Sequence, residues 1–374
     1  MTRDEPIGRR VARWRVRRRM TQQMLADRLG KSKSWVDKVE RGVRSLDRYS
    51  VIQEIAEVLR VDPAVLLGQH RPPPTSGLDG VDGIRAALAR FEAGGTASAD
   101  EVGRHVAHAW LTYQHAHYAQ VVRALPGLLD AARGLPGGDR ELLVQVYRIT
   151  ASVLVKLGEA DLGWLAADRA MAVAGGDPVL AGAAALSVGQ ALRALGRDRL
   201  ALAATVAAAH QVAQPGVRGA LLLQGGLAAA GCGDPCQADE LIDWAADIAE
   251  SSGACDPHRT CFGPLAVDLA RVVAAVELGE GDEAVCRHER VVRREGWRRL
   301  PAEYRAAYLV DAARAYLQLG DLTGAGRVLV DADRVAPAEV RCRPVARTVI
   351  AEIARGGLAG VGVTRLATLV GLIR

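Results

Sequence analysis

Apolar residues in the first seventy positions recur at helical spacing. Val11, Leu25, Leu29, Val36, Val39, Ile52, Ile55, Ala56 and Leu59 fall on one face of successive short helices and predict a single small core. Start and stop residues divide this pattern into five helices. The first runs from about Ile7 to Arg18. Thr21 caps the second, which Gly30 stops. Ser32 caps the third, which ends at Arg41-Gly42. The fourth spans about Asp47 to Leu59, and Asp62-Pro63 opens a fifth that Gly68 closes. The second and third helices are joined by a three-residue link around Gly30, the geometry of a helix-turn-helix. With Val36 and Val39 turned to the core, Lys33, Ser34, Asp37, Lys38 and Arg41 share the opposite face of the third helix.

From Gly83 onward the pattern is helical throughout and repeats. Gly158, Gly196, Gly233, Gly279 and Gly320 each end a helical stretch, at spacings of 38, 37, 46 and 41 residues. Five positions after each stands a small residue: Gly163, Ala201, Ala238, Ala284 and Ala325. Twelve positions after stand Ala170, Ala208, Ala245, Val291 and Ala332, and seven before stand Ala151, Gly189, Gly226, Val272 and Ala313. Two antiparallel helices joined by a tight turn need these residues, a helix-stopping glycine and small side chains where the backbones approach. Stacked hairpins then bury faces that none could bury alone. A looser unit, Ala99 to Arg133, surrounds Trp110, Tyr113 and Tyr118, and a final pair from Pro344 to Arg374 would cap the stack. Six or seven hairpins are expected in a superhelix.

Between the two patterns lies Gln69 to Gly83, QHRPPPTSGLDGVDG, a stretch through which no helix runs. The expected organisation is a compact head at 1–68, a linker at 69–83 and a helical repeat body at 84–374, all-α throughout. Charge sharpens the division. Residues 1–70 hold 16 Lys/Arg against 9 Asp/Glu, a balance of +7, which leaves −2 for the rest of a chain whose total is +5. A basic head on a slightly acidic body suggests that the head meets a polyanion. Only four lysines occur, Lys31, Lys33, Lys38 and Lys156, and three of them cluster at the third helix. Asparagine is absent and arginine supplies nearly all other positive charge, a bias expected of a GC-rich bacterial genome.

The head carries a resemblance. Thr21-Gln22-x-x-Leu25-Ala26, then Leu29-Gly30, then Ser32-x-Ser34-x-Val36-x-x-Val39-Glu40-Arg41-Gly42 resembles the phage repressor/Cro type (XRE-type) DNA-binding domain, over about Ile7 to Gly68. That resemblance implies a five-helix, lambda-repressor-like fold whose third helix enters a DNA major groove. It implies that Lys33, Ser34 and Lys38 read base edges and that Gln22 clamps a phosphate. Arg41, Arg44 and Arg48 would grip backbone or an adjacent minor groove, and Arg17-Arg18-Arg19 is a weaker basic run. Trp35 is open: it either extends the core edge or bonds a phosphate through its indole N–H. Arg15 and Glu40 match a pair that forms a buried salt bridge in this family.

The body resembles tetratricopeptide repeats, with Pro337 at the closing position of the last clear unit. It departs from them in longer units and in lacking most of their large aromatic positions. Head and body together look like bacterial regulators, of a kind common in actinobacteria, with an XRE-type head and a tetratricopeptide-like body. The resemblance implies sequence-specific transcriptional regulation, a homodimer on a double-stranded operator, and a peptide, small-molecule or protein effector in the concave groove. Peptide-sensing relatives commonly hold the peptide backbone with asparagines, which this chain lacks. The competing reading is a protein-interaction adaptor that its helix-turn-helix head tethers to DNA.

Other chemistry finds little support. Cys232, Cys236, Cys255, His258 and Cys261 lie close in sequence, but no Cys-x-x-Cys occurs. A helix of about 14 residues between Cys236 and Cys255 would span roughly 21 Å, too far for one tetrahedral site. Reduced, buried thiols are expected, with Cys255, His258 and Cys261 as a residual metal or redox candidate. His105, His108, His115 and His117 read as polar positions on a groove-lining helix. No phosphate-binding loop, nucleophile elbow or metalloprotease motif appears, so the chain reads as a non-enzyme without cofactor or metal. No apolar run is long enough to span a membrane and none follows the basic start as in a signal peptide. The expected compartment is the cytoplasm, at the nucleoid.

Overall fold

The structure, a computed structural model, describes residues 7–18, 20–43, 46, 49–59, 61, 66, 80–90, 97–135, 138–251, 256–356 and 360–372. Among the described residues there are twenty α-helices and no strand. None of these helices is long and apolar enough to cross a membrane. The chain divides into two compact units, Met1–Leu78 and Asp79–Arg374.

In the first unit, α1 (Ile7–Arg17), α2 (Gln22–Arg28), α3 (Lys33–Glu40) and α4 (Tyr49–Leu59) enclose one core. Val11, Leu25, Ala26, Val36, Val39, Ile52, Ile55, Ala56 and Leu59 fill it, while Leu29 is half-buried at its edge. Full burial of a side chain such as Leu25, Ile55 or Leu59 contributes about 1.5–3 kcal/mol each. The expected fifth helix lies outside the described residues except for Leu66, which is buried in the same core. Gly8 has no place in the apolar spacing of the sequence. It lets α1 lie directly on α3, because a Cβ there would run into the Val39 carbonyl.

The second unit opens with α5 (Val81–Ala89), so the last three positions of the segment expected to be linker are helical. Seven helical pairs follow: α6 (Ala99–Gln114) with α7 (Tyr118–Arg133), α8 (Arg140–Lys156) with α9 (Ala160–Ala174), and α10 (Pro178–Ala194) with α11 (Asp198–Gln211). Next come α12 (Pro215–Gly231) with α13 (Pro235–Ser251), α14 (Pro264–Leu278) with α15 (Gly281–Val291), and α16 (Ala302–Gln318) with α17 (Leu322–Val335). After the short α18 (Pro337–Cys342), α19 (Pro344–Arg355) pairs with α20 (Val361–Leu369).

The five spacing glycines are the turn residues of the five central pairs. Gly158, Gly196, Gly233, Gly279 and Gly320 take φ of 79°, 66°, 77°, 81° and 74°, the left-handed region that favours glycine. The small residues five positions on are all buried, and so are those seven positions before. At Gly226 a Cβ would stand 2.7 Å from Ile242 Cγ1, so the two helices touch backbone to side chain. One position differs from the pattern: Ala208 is half-buried, and its neighbour Ala209 takes the inward place. The first pair escaped the glycine count because Ala116 occupies its left-handed turn, at φ 58°.

Packing separates an inner from an outer layer. The first helices of successive pairs, α6, α8, α10, α12, α14 and α16, each pack on the next, while the second helices pack between them on the outside. In addition α16 packs back on α6, so the inner layer closes into a ring.

Candidate DNA-binding site

The turn between α2 and α3 is built by local chemistry. Thr21 Oγ1 accepts the Met24 N–H at 3.1 Å and Ser32 Oγ accepts the Trp35 N–H at 3.1 Å, so each helix has a side-chain N-cap. Gly30, at φ 62°, lets the Lys31 N–H return to the Ala26 carbonyl at 2.9 Å. Gly42, at φ 73°, does the same after α3, where the Val43 N–H reaches the Lys38 carbonyl at 2.9 Å. These two reversals fix α3 against α2 and leave its outer face free of the core.

Val36 and Val39 are buried, and Lys33, Ser34 and Lys38 are exposed on the opposite side. Neither lysine forms an ion pair among the described residues. Arg41 is exposed beside them and pairs with Asp37 on the surface, Nε to Oδ2 at 3.2 Å. Trp35 is half-buried and packs against the domain core, so it extends the core edge. Arg44 and Arg48 lie outside the described residues, as does Arg19. Arg18 donates its Nε to the Leu59 carbonyl at 3.0 Å, which ties the end of α1 to the end of α4.

Arg15 and Glu40 form a forked pair, Nε to Oε1 at 2.6 Å and Nη2 to Oε2 at 3.0 Å. The remaining Arg15 nitrogen, Nη1, donates to the Met20 carbonyl at 2.8 Å. The hydrogen bonds to Glu40 raise the Arg15 guanidinium above its ordinary value, against the pull of burial. Gln22 joins the same network, its Nε2 donating to Glu40 Oε2 at 2.8 Å. A phosphate contact through that amide therefore requires it to leave Glu40. The network links α1, the start of α2 and the end of α3 beneath the exposed lysine face.

The cysteine and histidine candidates disperse. Cys232, Cys236 and Cys286 are exposed rather than buried, and Cys261 and Cys342 are half-buried; all five are free thiols. Cys255 lies outside the described residues. Burial pushes the Cys261 thiol up to about 12, which makes it a poor nucleophile. His105, His108, His115 and His117 are exposed. Among the described residues no three His, Cys, Asp or Glu side chains converge as a metal site would need.

Comparison with known proteins bears on the first unit. Residues 6–67 match the family described as helix-turn-helix domain. Among curated proteins no sequence matches the chain. Among solved structures the chain is similar to Bacillus thuringiensis PlcR, determined in complex with the peptide PapR7 and DNA. The two share 10% identity over 89% of this chain and 96% of that one, at a TM-score of 0.40. The capped, glycine-turned pair α2–α3 lies within the residues that match this family, so the first unit of the chain is similar to a helix-turn-helix domain in both sequence and local geometry.

Proposed function

We propose that this protein is a sequence-specific DNA-binding transcriptional regulator that acts as a homodimer and whose helical body senses a ligand or partner. The observation that carries the reading is the outer face of α3. Three of the four lysines of the chain lie at this helix, and Lys33, Ser34 and Lys38 stand exposed on the second helix of a helix-turn-helix. Lysine on such a helix reaches guanine O6/N7 or phosphate. A single module of this size covers roughly 600–1,000 Å² of protein surface on DNA, so two heads on a two-fold operator supply the area that specific binding needs. A sensing role for the body is supported by the closed inner layer, where charged groups from distant pairs converge.

Selection of preferred sites from random DNA with the full-length chain tests this reading. The chain is expected to prefer its selected site by about 10³-fold or more over random sequence. Lys33→Ala and Lys38→Ala are expected to erode that preference, or to lower the slope of log affinity against log salt by about 0.9 per lost phosphate contact. Unchanged binding to every sequence by both variants would show that α3 is not the reading helix.

A further inference from the structure

The outer layer of the second unit carries two opposite charges side by side. The helix α13 bears five carboxylates, Asp239, Glu240, Asp243, Asp247 and Glu250, and no lysine or arginine. All five are exposed. Residues 287–299, the end of α15 and the turn after it, hold six arginines against Glu289 and Glu295. That is a net +4, while residues 71–374 as a whole sum to −2. A genomic preference for arginine spreads over the chain and does not gather six within thirteen residues.

Side-chain contacts place the two groups on one surface, either side of α14. Arg271 of α14 pairs through Nη2 with Asp243 Oδ1 of α13 at 2.8 Å, and its carbonyl accepts Nη1 of Arg287 of α15 at 3.3 Å. Asp268, one turn earlier on α14, pairs with Arg294. The arginine strip is held in place by its turn. Gly296 takes φ of 95°, and the Trp297 ring stands edge-on to Tyr308 of α16, with centroids 5.5 Å apart.

Much of this charge is unanswered. Arg293 and Arg298 are exposed and form no ion pair among the described residues. The same holds for Glu240 and Asp247, which stand one turn on either side of Trp244. The Trp244 ring is itself 45% exposed. Cations suit the C-terminal end of a helix, but Arg298 lies beyond that end, in the 3₁₀ turn Trp297–Arg299. A nucleic acid fits this surface poorly, because any polyanion on the arginines meets the carboxylates of α13 beside them. A surface with both signs in two adjacent strips is instead complementary to itself. Rotation about a two-fold axis along α14 brings each strip opposite its counterpart.

We propose that this face, from α13 across α14 to the 287–299 strip, joins two copies of the chain. The carboxylates and Trp244 of each α13 receive the arginines of the other copy, with the indole face as a further seat for a guanidinium. This rests on the homodimer reading of the proposed function and deepens it by naming the surface. A face as long as α13, about 25 Å, and two helices wide buries roughly 500–600 Å² on each copy, at the low end for specific interfaces. The contact is therefore weak and salt-sensitive by itself. On an operator it gains from two heads bound to the same DNA.

The test is sedimentation velocity on the full-length chain, without DNA, over a series of concentrations at low and high salt. The unaltered chain is expected to associate in one closed step that salt reverses. The variants Glu240→Arg/Asp247→Arg and Arg293→Glu/Arg298→Glu are each expected to associate at least ~10-fold more weakly, since the two-fold axis counts every reversed charge twice. Mixed in equal amounts they are expected to recover the association, because each then meets its opposite at both strips. Unchanged association in either variant, no recovery on mixing, or growth into ever larger assemblies overturns the proposal. A lower salt slope of DNA binding in Arg293→Glu/Arg298→Glu with unchanged association overturns it too, and assigns the arginines to the DNA backbone. If a charge-reversed chain fails to fold, Glu240→Gln/Asp247→Asn and Arg293→Gln/Arg298→Gln decide by the same weakening: unchanged association overturns the proposal. Association that persists in every variant leaves the homodimer reading standing and removes only this surface, and site selection by the head is untouched by either result.

Discussion

His288 on α15 shows how one buried residue sets a dependence that the sequence does not display. Its Nδ1 lies 3.0 Å from the Tyr308 hydroxyl, and the Tyr316 ring stands edge-on to it. Burial pulls its pKa down to about 4, with Glu289 opposing and Arg327 assisting. The unfolded chain accepts a proton near 6.5, while the folded chain refuses it until pH 4. The contribution of His288 is therefore intact above 6.5 and lost progressively as pH falls toward 4. Urea unfolding at pH 7 and pH 5 is expected to show about 2 kcal/mol of this loss in the unaltered chain, and a smaller loss in His288→Gln. Equal losses would mean that the ring is solvated. Arg15 and Glu40 are the opposite case. Their pairing is legible from fixed positions in a resembling motif, because a forked Arg–carboxylate pair needs two defined side chains and little else.

Among the elements, turns are where sequence and structure agree most closely. A left-handed residue after a helix selects glycine by sterics alone, so the five central hairpins are legible from five glycines. Gly233 has open space around its missing Cβ. Gly233→Ala is thus expected to cost only the backbone strain, about 1–2 kcal/mol, read as a lower unfolding midpoint with unchanged helical content. The first hairpin was legible only loosely, because Ala116 bears the same conformation and leaves no glycine to count. In the sequence, the loop from α13 to α14 stands out only for its thiols and a histidine. What matters in it is Phe262 against Gly219, a contact between residues whose approach no local spacing encodes.

For the second unit as a whole, closure of the inner ring depends on contacts across the longest sequence separations. Lys156 Nζ meets Glu303 Oε2 at 3.0 Å and Glu339 Oε1 at 2.7 Å, and Glu339 is wholly buried. The Tyr118 hydroxyl donates to Glu339 as well. Burial pulls the Lys156 ammonium down, but Glu303 and Glu339 outweigh it and hold it above its ordinary value. Such a cluster gives little net stability compared with an apolar one, yet it fails badly when one member is lost. Lys156→Met is expected to destabilise the body by about 3–5 kcal/mol, read as a fall in its unfolding midpoint. Adding Glu303→Gln and Glu339→Gln is expected to restore part of that loss. No recovery would mean that the lysine stem, not its charge, is what the ring requires.

Features that depend on neighbours along the chain are legible in the residues alone. They include where helices start and stop, which face of α3 is apolar, which residues turn each hairpin, and the gathering of lysines at one helix. Local sterics and helical periodicity are enough for these, since each involves residues a few positions apart. Contacts between distant residues settle that the repeats close rather than lie open, that the fourth lysine lies half-buried between two carboxylates, and that the loop from α13 to α14 sets Phe262 against Gly219 of α12. Those outcomes turn on small rotations between successive hairpins, accumulated over six pairs, which bring together residues more than a hundred positions apart.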